Sequence, residues 1–204
     1  MNDRTVFLDS HDVPRETIAA LDTYASLLAD WQQRMNLVGA STLPQLWHRH
    51  FADSAQLLPL AGDGKSWLDI GAGAGFPGLV IALLDRSARV TLVESIGKKC
   101  VFLQEVAEQC GVAERVTIAN YRVETLAPAR FDVIAARACA ALDRLFEWGL
   151  RFARPDTRWI LPKGARFAEE IDVARQRFRF DATLVPSRTD PGARIIVATG
   201  VGRR

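Results

Sequence analysis

The stretch SWLDIGAGAGFPG, residues 66–78, decides how the rest of the chain is read. An apolar run of strand length ends at Asp69 and Ile70, Gly71, Gly73 and Gly75 follow at alternate positions, and Pro77-Gly78 open the helical run LVIALL. Alternating glycines remove side chains where a backbone turns sharply, so a ligand can approach the main chain at the carboxyl end of a sheet. Pro77 is expected near the first helical position, where its missing N–H costs nothing.

Downstream, short apolar strands alternate with helices. Strands are expected at 66–70, 89–94, 115–120, 131–137 and 157–163, with helices near 77–84, 97–110, 141–152 and 165–178 between most of them. Such alternation argues for a parallel sheet covered by helices on both faces. Two further strands, about 180–186 and 193–199, are joined only by SRTDPG. That link is too short for a parallel crossover, so the last strand is expected to run antiparallel to its neighbour. Upstream, Asp12 and Pro14 offer a cap and a first-turn proline for a helix carrying Ile18, Leu21, Tyr24, Leu28 and Trp31 at helical spacing. A second stripe, Leu43, Leu46, Trp47, His50, Phe51, Ser54, Leu57 and Leu58, predicts another helix ending near Pro59. The division expected is a helical extension over residues 1–62, packed on a core formed by residues 63–204.

Composition bounds the function. The 204 residues are 49% hydrophobic, enough for one core and too few for a second large domain. No apolar run approaches the roughly 20 residues that span a bilayer, and the first residues have no secretory pattern, so a cytosolic protein without membrane attachment is expected. Cys100, Cys110 and Cys139 form no CxxC pair and stand near no histidine cluster; reduced thiols are expected, with no zinc or other metal. Charge is uneven. Residues 1–136 carry 12 Lys/Arg against 16 Asp/Glu, and residues 137–204 carry 14 against 8. That distribution suits a small ligand at one place and a polyanion at another, and it also suits an ordinary solvated surface.

Glu94 closes the second strand, 23 residues after Gly71. A carboxylate there can accept from both ribose hydroxyls of an adenosyl group, so Glu94 and the glycine loop read together as an adenosine-ligand site. Gly73, Gly75 and Gly78 also satisfy the spacing of a dinucleotide site, and an NAD(P) enzyme stays open as an alternative. Against it, the chain ends without a catalytic domain for a hydride acceptor. The acidic Asp69, two residues before Gly71, favours S-adenosylmethionine (SAM).

Several motifs then combine: Asn36-Leu37, RHFADS at 49–54, DIGAGAGFPG at 69–78, Glu94-Ser95 with Gly97-Lys98-Lys99 and Phe102-Leu103, Arg122-Val123-Glu124, Ala136-Arg137-Ala138, and Leu161-Pro162-Lys163-Gly164. Together they resemble the RsmG (GidB) family of bacterial 16S rRNA guanine-N7 methyltransferases, from the first helix to about residue 164. The resemblance implies a Rossmann-like class I SAM-dependent methyltransferase: a mostly parallel seven-stranded α/β sheet with an antiparallel C-terminal strand, plus the N-terminal helical extension. It implies SAM contacts from Gly71, Phe76, Val123, Glu124 and Arg137, with Glu94 on the ribose and Asp69, Gly73 and Gly75 completing the loop. It raises Arg49, His50 and Asp53 as candidate contacts to RNA or the SAM pocket. Its target is the decoding-region loop of 16S rRNA, free or in the 30S subunit. Rival readings are a SAM methyltransferase for a small molecule or protein, and a nucleotide-binding module without catalysis.

Guanine N7 carries an in-plane lone pair and no proton, so its methylation needs no general base. After the fourth strand stands Ala-Arg137-Ala, and an arginine holds a carboxylate or a guanine edge with a planar fork but is no base at ordinary pH. Turnover is then expected to rest on alignment of the reacting atoms. Lys163 leaves the fifth strand at the same edge, where it is either a donor to guanine O6 or a solvated lysine. Cys139 lacks the neighbouring proline of cytosine C5 chemistry and is expected to be a small buried residue at a helix start. Arg144, Arg151, Arg154, Arg158 and Arg166 are the candidates for gripping phosphates, and a monomer is expected because the basic face must stay open.

Overall fold

The computed structural model describes residues 2–204. They build a seven-stranded sheet from β1 (Ser66–Ile70), β2 (Arg89–Val93), β3 (Val116–Ala119), β4 (Phe131–Ala135), β5 (Ala153–Lys163), β6 (Phe178–Pro186) and β7 (Arg194–Arg203), in the order β3-β2-β1-β4-β5-β7-β6. The first five strands pair in parallel, and β7 pairs antiparallel with both β5 and β6. All seven expected strands are present, with the short link after Pro186 turning the chain back as its length demands. β6 runs in the direction of β5 but one place further out, and β7 fills the gap between them.

The chain walks outward from β1 through β2 to β3, then returns to lay β4 on the other side of β1. Strand order therefore reverses between β1 and β4, the place where the loops after two neighbouring strands diverge and open a crevice. Gly71 follows β1 there and Arg137 follows β4.

Helices cover both faces. One apolar layer holds α4 (Gly78–Leu84) and α5 (Gly97–Gln109) and extends into the N-terminal residues Phe7, Leu21, Tyr24, Leu28, Trp47 and Phe51. The other holds α6 (Leu142–Gly149) and α7 (Phe167–Arg175), with Phe146, Phe152, Trp159 and Phe178. No helix among the described residues is long and apolar enough to cross a membrane.

The N-terminal residues differ from expectation in three ways. An additional helix, α1 (Asp3–Ser10), precedes α2 (Arg15–Gln32); it buries only Phe7, which is why no apolar stripe announces it. Pro14 occupies the cap position of α2 itself. The second expected helix is broken into a 3-10 turn over Ala40–Gln45 containing Pro44, a π turn over Trp47–Ala52, one α turn α3 (Asp53–Ala55) and a 3-10 turn over Leu58–Ala61. Asp3 closes the free end of the π turn by accepting from Trp47 N at 2.8 Å and His48 N at 3.3 Å.

α2 does more than cover the sheet. Leu21, Tyr24 and Leu28 are wholly buried, each apolar side chain contributing on the order of 1.5–3 kcal/mol by leaving water. Tyr24 also donates its hydroxyl to the Ala74 carbonyl in the glycine loop and stacks on Phe76, ring centroids 5.3 Å apart and 12° from coplanar. Tyr24→Phe leaves that buried carbonyl unpaired. The expected loss is about 1 kcal/mol of unfolding free energy in urea, and an unchanged midpoint would show that the loop does not lean on α2.

Candidate active site

The residues after β1, β2, β4 and β5, with N-terminal residues such as Thr42, Arg49 and Asp53 and the link between β6 and β7, line an open cavity of about 1100 Å³ at the carboxyl edge of the sheet. A second, smaller cavity of about 130 Å³ is lined by Ile70, Val93, Tyr121, Val123, Glu124 and Trp148. Gly71, Glu94, Ser95 and Cys139 line both, so the two spaces meet at the glycine loop.

Gly71 has φ +72°, and its N donates to Val93 O at 2.9 Å, tying the loop to β2. A Cβ on Gly71 would strike the Cys139 sulfur, so glycine is required both by conformation and by close approach. Gly73 and Phe76 also line the large cavity. Gly75 does not: a side chain there would meet Leu79 and the Tyr24 hydroxyl, so this glycine serves packing behind the loop. Asp69 likewise lies behind the loop and not in either cavity wall, 1% exposed, its Oδ2 accepting from Gly78 N at 2.9 Å. Among the described residues its Oδ1 has no hydrogen-bond partner, and burial pushes the carboxyl up to about 7. Placed this way, Asp69 and Gly75 shape the loop from beneath, whereas sequence spacing alone put them on the ligand side.

Glu94 stands at the seam. Its Oε2 accepts from Gly73 N at 3.0 Å and its Oε1 from Ile96 N at 2.8 Å, leaving further lone pairs on each oxygen. Val123 is buried in the small cavity and Glu124 is beside it, 3.3 Å from Arg122.

Arg137 is the most constrained charge in the large cavity. Nη1 donates to Arg49 O and to Asp53 Oδ2, both at 3.1 Å, Nη2 donates to His50 Nδ1 at 2.7 Å, and the guanidinium lies 5.0 Å from the Phe76 ring centroid. A guanidinium has no acceptor, so His50 Nδ1 must be unprotonated and Nε2 carries the proton, donated to Thr42 Oγ1 at 2.8 Å. Burial, with Arg137 and Arg49 nearby, lowers the His50 pKa to about 3. His50 is therefore neutral with its basic nitrogen occupied, and a poor general base.

Lys163 is neither solvated nor free. It is buried, donating to Ala140 O at 2.6 Å and pairing with Glu170 at 2.8 Å, while Glu170 also accepts from Leu142 N at 2.9 Å. It lines the cavity yet spends two donors holding the loop that carries Ala138, whose φ of +52° is unusual for a side-chain-bearing residue. Cys139 is exposed in that loop, a correction to the buried placement expected; burial of its sulfur side and the carboxylates of Asp69 and Glu94 raise its thiol pKa, which suits no nucleophile. Among the described residues no group of three His, Cys, Asp or Glu side chains could hold a metal ion.

The phosphate-gripping candidates divide. Arg166 lines the large cavity and Arg144 stands over Trp148. Arg151 donates to Glu124 O at 2.8 Å. Arg154, near the start of β5 and so at the sheet edge opposite Lys163, pairs with Asp132, and Arg158, midway along the strand, turns its guanidinium to Leu60 O. Charge counting missed that strand direction separates them from the site. Thr42, Tyr121 and Trp148 escaped notice for the converse reason: they carry no charge or motif, although Tyr121, two residues past β3, stands at the edge where ligands bind.

Comparison with known proteins agrees with the fold. The GidB family model, rRNA small subunit methyltransferase G, matches residues 17–191, further than the motifs alone reach. The chain is 47% identical over 194 residues to the ribosomal RNA small subunit methyltransferase G of Rhizorhabdus wittichii, covering 94% of this chain and 89% of the relative. It is 43% identical over 206 residues to that of Zymomonas mobilis, covering 96% and 92%. Among solved structures it is similar to an O-methyltransferase from Bacillus cereus in complex with SAH, at TM-score 0.61 and 16% identity over 95% of each chain. It is also similar to the O-methyltransferase TomG of Streptomyces achromogenes in complex with SAM, at TM-score 0.61 and 15% identity over 97% and 95%.

His50 and Asp69 impose opposite pH dependences on stability. With its pKa lowered from 6.5 to about 3, native His50 binds fewer protons than unfolded His50, so its contribution is complete above pH 6.5 and lost as pH falls toward 3. With its pKa raised from 3.8 to about 7, native Asp69 binds more, so stability falls as pH rises through that interval. Urea unfolding between pH 3.8 and 6.5 is expected to show a more negative slope with pH for His50→Gln and a more positive one for Asp69→Asn than the parent. Parallel profiles would contradict the protonation states assigned.

Proposed function

The chain belongs to the GidB family of rRNA small subunit methyltransferases, it is a SAM-dependent enzyme acting on guanine N7 of 16S rRNA, and we propose that its two joined cavities perform this transfer by positioning alone. The observation that carries the reading is the seam: Gly71, Glu94, Ser95 and Cys139 line both spaces, so one ligand can lodge an adenosine in the smaller and face the larger with its other end.

The residues present fit SAM. The small cavity has apolar walls in Ile70, Val93, Val123 and Trp148 that suit an adenine ring, with Glu124 at hand for its polar edge. Glu94 accepts from the ribose hydroxyls. The side-chain-free backbone at Gly71 and Gly73 admits the rest of the molecule at close approach. When bound, SAM supplies an electrophilic methyl group on a sulfonium.

In the large cavity the chain's own groups do three things. Arg137, fixed by His50, Asp53 and the Arg49 carbonyl, presents its remaining guanidinium edge to a carboxylate or to the guanine. Lys163 holds the loop of Ala138 and Cys139 in place and keeps one donor for the cavity. No residue removes a proton: His50 is occupied, Arg137 cannot, and the N7 lone pair needs none. The guanine must stand clear of its stack to enter, as in an accessible loop of the decoding region. We assign the working form as a cytoplasmic monomer with the cavity mouth, including Arg49 and Arg166, turned to RNA.

Labelled methyl transfer from SAM to 30S subunits and protein-free 16S rRNA, both lacking the modification, is expected to yield 7-methylguanosine on nucleoside mass spectrometry. No label in either RNA with SAM still bound would overturn the RNA assignment and favour a small-molecule acceptor. Arg137→Ala is expected to lower kcat by at least about 100-fold with the fold intact, and native turnover would remove its role. Glu94→Ala is expected to weaken calorimetric SAM binding by about tenfold or more; unchanged affinity would remove the ribose contact.

A further inference from the structure

The residues that hold Arg137 are themselves held from the far end of the chain. Asp53 shares its carboxylate between two tasks. Oδ2 accepts from Arg137 at 3.1 Å, and Oδ1 accepts from the Thr189 hydroxyl at 2.5 Å and from Gln56 Nε2 at 2.9 Å. Thr189 lies in the link between β6 and β7 and is nearly buried. That link is fastened independently of Arg137: Gln56 Oε1 accepts from Arg188 N at 2.9 Å, the Thr189 carbonyl is 3.2 Å from His48 Nε2, and Thr189 N donates to Ser187 Oγ at 3.2 Å.

We infer that Thr189 is a positioning residue for methyl transfer, acting through Asp53 on the orientation of Arg137. Without the Thr189 hydroxyl, Oδ1 keeps only Gln56 Nε2, a donor it shares with Ser187 Oγ at 3.3 Å, and the carboxylate's terminal torsion has a broad, weakly restrained profile. Pinning Oδ1 against the hairpin fixes the plane of the group and so the direction from which Oδ2 meets Nη1. The web is half-buried, with Arg137 and Asp53 side chains each 17% exposed, so water competes poorly for these bonds. Thr189 and Asp53 both line the large cavity and neither lines the smaller one, so the effect falls on the acceptor side. The inference rests on the role assigned above to Arg137.

The test measures kcat on the RNA substrate, SAM affinity by calorimetry and urea stability for Thr189→Val and Thr189→Ser, in the parent and in Asp53→Ala. Valine keeps the shape and removes the hydroxyl. Thr189→Val is expected to lower kcat about tenfold, the size of one buried charge-assisted bond, without changing SAM affinity. Thr189→Ser is expected to restore kcat, and Thr189→Val to add nothing once Asp53 is gone. Parental kcat in Thr189→Val, failure of serine to restore it, an equal loss in the Asp53→Ala background, or a parallel loss of SAM affinity would each overturn the inference. Native turnover by Arg137→Ala would overturn the reading beneath it, a result distinct from all four.

Discussion

A guanidinium offers five donors and no acceptor, and in a half-buried place each donor must find an oxygen or an unprotonated nitrogen. The site is organised around meeting that demand at Arg137. The Arg49 carbonyl, the Asp53 carboxylate and the neutral ring of His50 all come from one broken helical segment, and Phe76 supplies a π face from the glycine loop. A regular helix places residues three or four apart on one face. His50 and Asp53, three apart, share a face in this way, and the Arg49 carbonyl in the π turn over Trp47–Ala52 joins them on the same cation.

The same economy of placement governs the glycine loop. Asp69 holds Gly78 from beneath, Tyr24 reaches Ala74 from α2, and Val93 O ties down Gly71 and Ala72 from β2. Three elements from different parts of the chain thus fix one turn, leaving the backbone at Gly71 and Gly73 as its open side. Keeping a carboxyl such as Asp69 with an unpaired oxygen in a buried position is costly, which the upward displacement of its pKa expresses.

Most of the sheet was legible because burial on both faces writes strands as apolar runs, and because a link as short as 187–193 admits one direction only. The helical extension was less so. α1 buries a single phenylalanine, and the stripe from Leu43 to Leu58 is continuous in sequence while its backbone is not, since periodicity records which residues face the core and says nothing of turns between them. At the site, motif spacing pointed to Gly71 and Glu94 and the family resemblance added Val123 and Arg137, but neither could separate residues that front a cavity from Asp69 and Gly75, which prop it. Nor could charge tell that Arg154 and Lys163, on one strand, lie at opposite edges of the sheet. Thr189 was invisible because its partner is 136 residues away.

The position of β7 has a consequence in time. This strand, the last of the seven in chain order, is inserted between β5 and β6, and the hairpin that leads into it is the one that steadies Asp53. Until residues 187–203 have been synthesised, β5 and β6 have no partner to bridge them, and the polar web around Arg137 lacks one of its anchors. Contacts this distant in sequence also carry the largest loop-closure entropy, so they form late even in a complete chain. The fold thereby delays its own competence: a nascent chain can assemble the parallel half of the sheet, with the glycine loop in place, well before its acceptor side is set.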